Sequence, residues 1–128
     1  MIPVVAAVIE DGNRFLVTRR LKGTHLEGLW EFPGGKVDAD ESHDRALRRE
    51  MVEELGADVD VGELILTTTH AYADRAVVLY FYRCRLLGAP TPQLQQEMRW
   101  VARADLGRLG FPDADTALIE RLTGSGAS

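Results

Sequence analysis

The 128-residue sequence is poor in the features that mark secreted and membrane proteins. It has one cysteine, Cys84, so an internal disulfide cannot form. The apolar run 3–9 is too short to span a bilayer, and it lacks the basic start and cleavage pattern of a signal peptide. We therefore expect a cytoplasmic protein. Because Cys84 lies inside an apolar run, 76–87, a packed thiol is favoured over a catalytic one.

The chain also lacks an excess of positive charge. Its 15 lysine and arginine residues are outnumbered by 20 aspartate and glutamate residues, and the formal net charge is -5. A protein that binds DNA or RNA without regard to sequence needs a basic surface. We therefore expect neither a nucleic acid polymer nor a membrane as partner, whereas a small nucleotide carried with Mg²⁺ is compatible with this charge.

Internal repeats and linker-like segments are also lacking, and the length is that of one domain. We predict a single domain over residues 1–123 and a mobile tail over residues 124–128, with the choice between monomer and homodimer left open. Apolar runs and turn residues predict strands at 3–9, 15–18, 59–69, 76–87 and 98–102, and helices at 43–55 and 114–122. This order predicts a mixed α and β domain.

What the sequence does have is an acidic segment with helical spacing. Residues 43–55 contain neither proline nor glycine, Ser42 can cap the first turn, and Gly56 suits the left-handed residue that ends a helix. At about 100° per residue, one face of this helix is apolar and the neighbouring arc is acidic. The apolar face comprises Leu47, Met51 and Leu55, and the acidic arc comprises Glu50, Glu53 and Glu54.

The three carboxylates of the acidic arc repel one another. A like-charged pair near 4 Å costs up to about 4 kcal/mol at an effective dielectric constant of ~20. One interpretation is a solvated face on which Arg45, Arg48 and Arg49 form helical ion pairs. The other is a site for a hard divalent cation, Mg²⁺ or Mn²⁺, held by carboxylate oxygens.

The whole segment from Gly35 to Ala57 favours the cation site. It resembles the Nudix box, Gly-x5-Glu-x7-Arg-Glu-U-x-Glu-Glu-x-Gly-U, in which U is a bulky apolar residue. Met51 fills the first apolar slot, and Ala57 fills the second with a smaller residue than usual. The seven fixed positions are filled by Gly35, Glu41, Arg49, Glu50, Glu53, Glu54 and Gly56. The resemblance implies an α+β fold, the Nudix α/β/α sandwich with a central mixed sheet, and Mg²⁺-dependent hydrolysis of a nucleoside diphosphate linked to another group.

The resemblance also implies a role for each box residue. The cation ligands would be the carboxylates of Glu50, Glu53 and Glu54 and the carbonyl of Gly34, and the catalytic residues would be Glu50, Glu53, Arg49 and Lys36. Glu50 is our choice of general base, a role for which the family does not use one fixed position. Arg49 would orient a catalytic glutamate through an ion pair, Glu41 would stabilise the loop or hold an outer water, and Lys36 would neutralise phosphate charge. A phosphoanhydride repels anionic nucleophiles, so the reaction needs positive charge on the phosphate oxygens and a base that deprotonates water.

Segments outside the box resemble the MutT-type branch of the family. These segments are residues 18–20, 29–36, 74–75 and 111–115. The branch cleaves nucleoside triphosphates to the monophosphate and pyrophosphate by attack at the β-phosphorus, and the resemblance implies 8-oxo-dGTP as substrate, in sanitation of the nucleotide pool. By analogy, Arg20 and Asp115 would contact the base, and Phe32 and Leu79 would line its pocket.

Two departures from the MutT pattern leave alternatives open. Asp115 stands where enzymes that remove 8-oxo-dGTP commonly have asparagine. A carboxylate only accepts hydrogen bonds unless it is protonated, so it suits the N7-H of 8-oxoguanine or the N4 amine of cytosine. A CTP, dCTP or 5-methyl-dCTP pyrophosphohydrolase is therefore the alternative. Leu94 replaces a glutamate that many relatives carry, and Glu97 is either its substitute as a cation ligand or a surface charge.

Other classes are disfavoured by the same residues. A non-catalytic Nudix domain that binds a nucleotide as a regulator usually loses box carboxylates, and all are present here. Cleavage of ADP-ribose or a dinucleoside polyphosphate is disfavoured because the chain is short and has no obvious insertions. We identify no partners for His25 and His70, and we expect these residues and His43 to be surface histidines.

Overall fold

The computed structural model describes residues 1–124. Within them lie seven strands: β1 (Ile2–Asp11), β2 (Arg14–Arg19), β3 (Trp30–Glu31), β4 (Gly34–Lys36), β5 (Val59–Ala71), β6 (Ala76–Leu86) and β7 (Met98–Ala102). The helices are α1 (His43–Leu55) and α2 (Thr116–Thr123), and 3-10 helical segments cover Arg103–Arg108 and Asp113–Asp115. Of the predicted tail, residues 125–128 lie outside the described residues.

The strands form one mixed sheet with β1 at its centre. β1 pairs in parallel with β6 and antiparallel with β2 and β4, and β5 pairs antiparallel with β6. The order along the sheet is β3-β2-β1-β6-β5, and β7 pairs antiparallel with β2. This arrangement confirms the predicted α+β class with a central mixed sheet.

The side chains of β1 alternate between two cores on opposite faces of the sheet. One core joins Val5, Ala7 and Ile9 to Leu16 of β2 and to the apolar face of α1. The other joins Ala6 and Val8 to Phe15, Val17, Phe32 and Phe81, and to Leu118 and Leu122 of α2. Because successive side chains of a strand point to opposite faces, β1 separates α1 from α2 and gives the sandwich its two helical layers.

The caps of α1 confirm its predicted bounds. The Ser42 hydroxyl oxygen accepts a 3.2 Å hydrogen bond from the backbone N–H of Arg45. Gly56 ends the helix at φ 63°, a left-handed conformation that glycine adopts without steric cost, and its N–H donates to the carbonyl of Val52. The predicted apolar face is fully buried, and each such side chain contributes about 1.5–3 kcal/mol by leaving water.

The second helix and the shortest strands differ from the prediction. α2 begins at Thr116 instead of Ala114, because Asp113–Asp115 form a 3-10 turn after Pro112. β3 and β4 were not predicted, since two or three residues are too few to show an alternating pattern. Cys84 is buried as expected, and burial raises the pKa of its thiol to about 12. No helix in residues 1–124 is long and apolar enough to cross a membrane.

Candidate active site

Two glycines in β4 allow close approaches that build the site. β4 pairs antiparallel with the first half of β1, which places Gly34 opposite Ala6. A Cβ atom on Gly34 would lie 2.0 Å from the carbonyl oxygen of Val5. A Cβ atom on Gly35 would lie 2.4 Å from the carboxylate of Glu50. Gly34 therefore requires glycine, whereas a side chain at Gly35 would displace the Glu50 carboxylate, which lies directly against the β4 backbone.

Arg49 connects the loop before α1 to the helix. Its guanidinium donates two hydrogen bonds to the Glu41 carboxylate, at 2.8 and 2.9 Å, and one to the carbonyl of Lys36 at 3.0 Å. It also donates to Glu50 at 2.9 Å and to Glu53 at 3.4 Å. The bonds from Arg49, and then the one from the Asp38 backbone N–H, lower the pKa of Glu41 to about 2. The hydrogen bonds between Arg49 and Glu41 also raise the pKa of Arg49, so Arg49 and Glu41 both stay charged.

The predicted cation ligands converge on one cavity, which we call the acidic cavity. Its volume is about 300 Å³, and its walls include Thr18, Arg20, Glu31, Gly34, Glu50, Glu53, Glu54 and Gln96. Burial raises the pKa of Glu54 to about 9, and its hydrogen bond with Glu50 and the nearby charge of Glu31 add to the effect. Burial also raises the pKa of Glu31, against the opposing charge of Arg20. At both carboxylates, burial and neighbouring negative charge thus outweigh the opposing charge of Arg20.

The donor chemistry of the acidic cavity fits a hard divalent cation. Within residues 1–124 no group of three or more histidine, cysteine, aspartate or glutamate side chains already has the spacing of a metal centre. Instead, Glu50 is hydrogen-bonded to Arg49 and to Glu54. Carboxylate and carbonyl oxygens are the ligands that Mg²⁺ and Mn²⁺ prefer, and a cation would offset the burial and the nearby negative charge that raise the pKa of Glu54.

Glu97 and Leu94 lie on the loop before β7. The Glu97 carboxylate accepts a 3.0 Å hydrogen bond from Arg19 and is 56% exposed, and it lies outside the acidic cavity. Leu94, at the position of the glutamate found in relatives, does line that cavity. The structure therefore does not bring Glu97 together with the carboxylates of α1.

All four predicted base-contacting residues line a second cavity, which we call the apolar cavity. It has a volume of about 200 Å³, and its walls include Arg20, Phe32, Lys36, Leu79, Phe81 and Asp115. Phe32 stacks on Phe111, with ring centroids 5.4 Å apart, and meets Phe81 edge-on. Arg20, Glu31 and Gly34 line both cavities and form their common wall.

Asp115 and Arg20 are two of the polar side chains that line the apolar cavity. Asp115 is only 5% exposed, and burial, followed by the charge of Glu31, raises its pKa to about 7. Arg20 donates to the Glu31 carboxylate at 3.2 Å and to the carbonyl of His25 at 3.0 Å. Near neutral pH, Asp115 can therefore both accept and, when protonated, donate a hydrogen bond.

Several residues of the site were missed in the sequence. Glu31 stands in both cavities, and the signal available was a charge inside an otherwise apolar and glycine-rich segment. Tyr72 lines the apolar cavity. The rings of His25 and His70 lie edge-on to the Tyr72 ring, with centroids 4.9 and 4.6 Å from its centroid. His43 differs from the expected surface histidine: it is half-buried and its Nδ1 lies 2.7 Å from the Tyr82 hydroxyl.

Similarity to known proteins agrees with this geometry. The NUDIX domain family matches residues 4–121. The chain is 35% identical to the CTP pyrophosphohydrolase of Escherichia coli strain K12 over 121 residues, covering 94% of this chain and 90% of that protein. It is 36% identical to the 8-oxo-dGTP diphosphatase of Haemophilus influenzae over 124 residues, covering 95% and 91%. A crystal structure of a MutT NUDIX hydrolase from Burkholderia pseudomallei has a TM-score of 0.84 at 30% identity, covering 92% of this chain and 95% of that one.

The chain therefore belongs to the NUDIX domain family, and the class of protein that its fold and site define is a Nudix hydrolase. Within that class it is of the MutT type, as its similarity to the MutT NUDIX hydrolase structure and to the 8-oxo-dGTP diphosphatase sequence shows. Nudix hydrolases act on small nucleotide substrates and generally use divalent metal ions.

Proposed function

We propose that this Nudix hydrolase is a Mg²⁺-dependent nucleoside triphosphate pyrophosphohydrolase that converts 8-oxo-dGTP to the monophosphate and pyrophosphate. The observation that carries the proposal is the common wall of the two cavities, formed by Arg20, Glu31 and Gly34. A nucleotide can place its base in the apolar cavity while its triphosphate extends along the acidic one. The cellular role would be removal of oxidised nucleotides from the cytoplasmic pool, by a monomer or a homodimer.

The acidic cavity would hold the cation. The oxygen donors would be Glu50, Glu53, Glu54 and the carbonyl of Gly34, with Mn²⁺ as a substitute for Mg²⁺. When bound, the cation would supply positive charge to the phosphate oxygens. Glu50 would take the proton of the attacking water, because Arg49 donates a 2.9 Å hydrogen bond to its carboxylate and holds it against Gly35.

Lys36 and Glu97 would act at the edges of the site. Lys36 is exposed at the rim of the apolar cavity, and its backbone is fixed by the Arg49 hydrogen bond to its carbonyl. Its ammonium group would neutralise phosphate charge. For Glu97 to be a cation ligand, its 3.0 Å ion pair with Arg19 would have to open. We therefore assign Glu97 the role of a surface charge.

The apolar cavity would bind the oxidised base. Phe32 and Leu79 offer apolar surface, and Asp115 and Arg20 offer an acceptor and donors. Asp115 in its ionised form would accept from the N7-H of 8-oxoguanine, which guanine lacks. Attack of water at the β-phosphorus would then break the bond between the α- and β-phosphates and give the monophosphate and pyrophosphate. Selectivity would follow because guanine leaves the buried Asp115 acceptor unpaired.

A cytosine nucleotide is the second candidate substrate. The Asp115 carboxylate accepts equally well from the N4 amine of cytosine, and the apolar cavity has room for a pyrimidine. The E. coli relative named a CTP pyrophosphohydrolase supports this alternative as well.

Product analysis of the purified protein with Mg²⁺ tests the proposal. The panel contains 8-oxo-dGTP, dGTP, CTP, dCTP, 5-methyl-dCTP and ADP-ribose, and the quantity compared is kcat/KM. We expect the highest value for 8-oxo-dGTP, with monophosphate and pyrophosphate as products. A higher kcat/KM for cytosine nucleotides would show that the substrate is a cytosine nucleotide instead of 8-oxo-dGTP. Release of inorganic phosphate in place of pyrophosphate would overturn the proposed attack at the β-phosphorus.

The same assay addresses a non-catalytic regulator. Such a domain would bind a nucleotide in the presence of Mg²⁺ and release no product. If calorimetry detected nucleotide binding and no nucleotide of the panel were turned over, the protein would be a non-catalytic regulator and the enzyme proposal would be wrong.

A further inference from the structure

One buried hydroxyl group in the acidic cavity has no hydrogen-bond partner in the described part of the chain. Thr18 is 1% exposed, and its Oγ1 atom finds neither a donor nor an acceptor among residues 1–124. A buried hydroxyl without a partner is costly, because it has lost water and gained nothing in return. A group of this kind in a native site indicates a ligand or an ordered water that completes it.

The strand alternation of β2 shows where this hydroxyl points. Leu16 packs into the core that contains the apolar face of α1, whereas Phe15 and Val17 pack into the opposite core. Thr18 is two residues beyond Leu16, so it points to the same face of the sheet, toward α1. There it lines the acidic cavity together with Glu50 and Glu54.

The neighbouring polar groups are already occupied. The Gln96 amide donates to the backbone carbonyl of Glu54 at 2.8 Å, and its oxygen accepts from the N–H of Leu94 at 2.9 Å. The backbone of Thr18 is paired with Glu31 of β3 and Met98 of β7. The Thr18 hydroxyl is therefore left facing a polar cavity of about 300 Å³, which has room for water molecules.

We propose that Thr18 is a positioning residue of the acidic cavity: its hydroxyl binds an ordered water that connects β2 to the Glu54 carboxylate and orients that carboxylate for the cation. This inference rests on the proposed function, in which Glu54 is a cation ligand. Groups that orient metal ligands commonly change metal affinity by about 10- to 100-fold when removed. Thr18 would do so without contacting substrate or cation.

Binding of Mn²⁺ to the nucleotide-free protein tests this inference, with free Mn²⁺ measured by electron paramagnetic resonance. Thr18→Val keeps the shape of the side chain and removes the hydroxyl, and Thr18→Ser keeps the hydroxyl. We expect about tenfold weaker Mn²⁺ binding for Thr18→Val. Thr18→Ser should bind close to the wild type. The matched control is Thr67→Val on the exposed face of β5, which should bind Mn²⁺ as the wild type does.

The thermal midpoint without cation separates positioning from folding. Thr18→Val should unfold near the wild-type temperature, because the hydroxyl has no hydrogen-bond partner among residues 1–124 that the substitution would break. Unchanged Mn²⁺ binding in Thr18→Val would overturn the inference, and so would equal losses in both Thr18 variants. If Thr18→Val bound Mn²⁺ normally but bound a non-hydrolysable triphosphate analogue more weakly, the inference would be overturned, and the hydroxyl would instead contact the substrate. Failure of the wild type to bind Mn²⁺ would overturn the proposed cation site itself.

Discussion

The acidic and apolar cavities hold their polar groups by different means. In the acidic cavity, Arg49 fixes Glu50 through a hydrogen bond and is itself fixed by Glu41 and by the carbonyl of Lys36. In the apolar cavity, burial is the main influence on Asp115, as its raised pKa indicates. The first arrangement sets geometry through charge pairs. In the proposed function, the second would discriminate among ligands, because an unsuitable base would leave a buried polar group unpaired.

Removal of one carboxylate from the acidic cavity should have the largest effect. Glu53→Gln should lower kcat with Mg²⁺ by roughly 10²- to 10³-fold, because it would remove a proposed cation ligand from the site where charge develops. Steady-state kinetics checks this. Glu53 is 57% exposed, so the thermal midpoint should not change. Glu63→Gln, at an exposed carboxylate paired with Arg83, is the matched control, and near wild-type activity of Glu53→Gln would disprove the ligand assignment.

A methyl group at Gly35 should displace the Glu50 carboxylate of the acidic cavity, although Gly35 itself lines the apolar cavity. Gly35→Ala places a Cβ atom where the Glu50 carboxylate now lies, so this carboxylate must move. A displacement of about 1 Å at a catalytic group can lower kcat by about 10²-fold. Gly88→Ala, where a Cβ atom meets nothing within 4 Å, should behave as the wild type; equal activity of the two variants would contradict the role of this contact.

A change confined to the apolar cavity should alter substrate preference more than rate. Asp115→Asn introduces an amide that donates as well as accepts, so it can pair with both O6 and N7-H of 8-oxoguanine. We expect the ratio of kcat/KM for 8-oxo-dGTP to that for dCTP to rise about tenfold, because pairing of one buried polar group is worth about 1–3 kcal/mol. A ratio that does not change would remove Asp115 from base recognition.

The charge pair beside the acidic cavity should give the smallest effect, a change in the pH dependence of stability. The pKa of Glu41 is about 2 in the folded protein, below its ordinary value of 4.5. Ionised Glu41 therefore stabilises the fold above about pH 4.5, and this contribution is lost as the pH falls toward 2. Glu41→Gln should flatten the fall of the thermal midpoint across this range. Glu120→Gln, an exposed residue of α2, is the control, and two parallel curves would contradict the assignment.

The helix of the acidic cavity could be predicted from local signals. Ser42 and Gly56 bound it, and the spacing of Leu47, Met51 and Leu55 fixes which face is buried, so the arc of carboxylates follows from the chain alone. The convergence of Glu50, Glu53 and Glu54 with Gly34 came from the resemblance to the Nudix box. Their roles as cation ligands stay predictions.

The apolar cavity was predicted less completely, because its walls come from distant parts of the chain. Phe32, Leu79 and Asp115 were reached through the MutT-type resemblance. Tyr72 and the histidine rings beside it were not, since ring contacts between loops leave no periodic signal in a sequence. Glu31 was missed for a related reason: β3 has two residues, and its pairing with β2 is what aims this side chain at both cavities.

The common wall of the two cavities limits how the substrate range can evolve. Arg20 donates a hydrogen bond to Glu31, and both residues line both cavities, so a mutation at Arg20 that suits a new base would also change the charge around the proposed cation site. Phe32, Leu79 and Asp115 line the apolar cavity but not the acidic one. Divergence toward other bases is therefore expected to begin at these three positions, where specificity can drift without loss of turnover, and to reach Arg20 last.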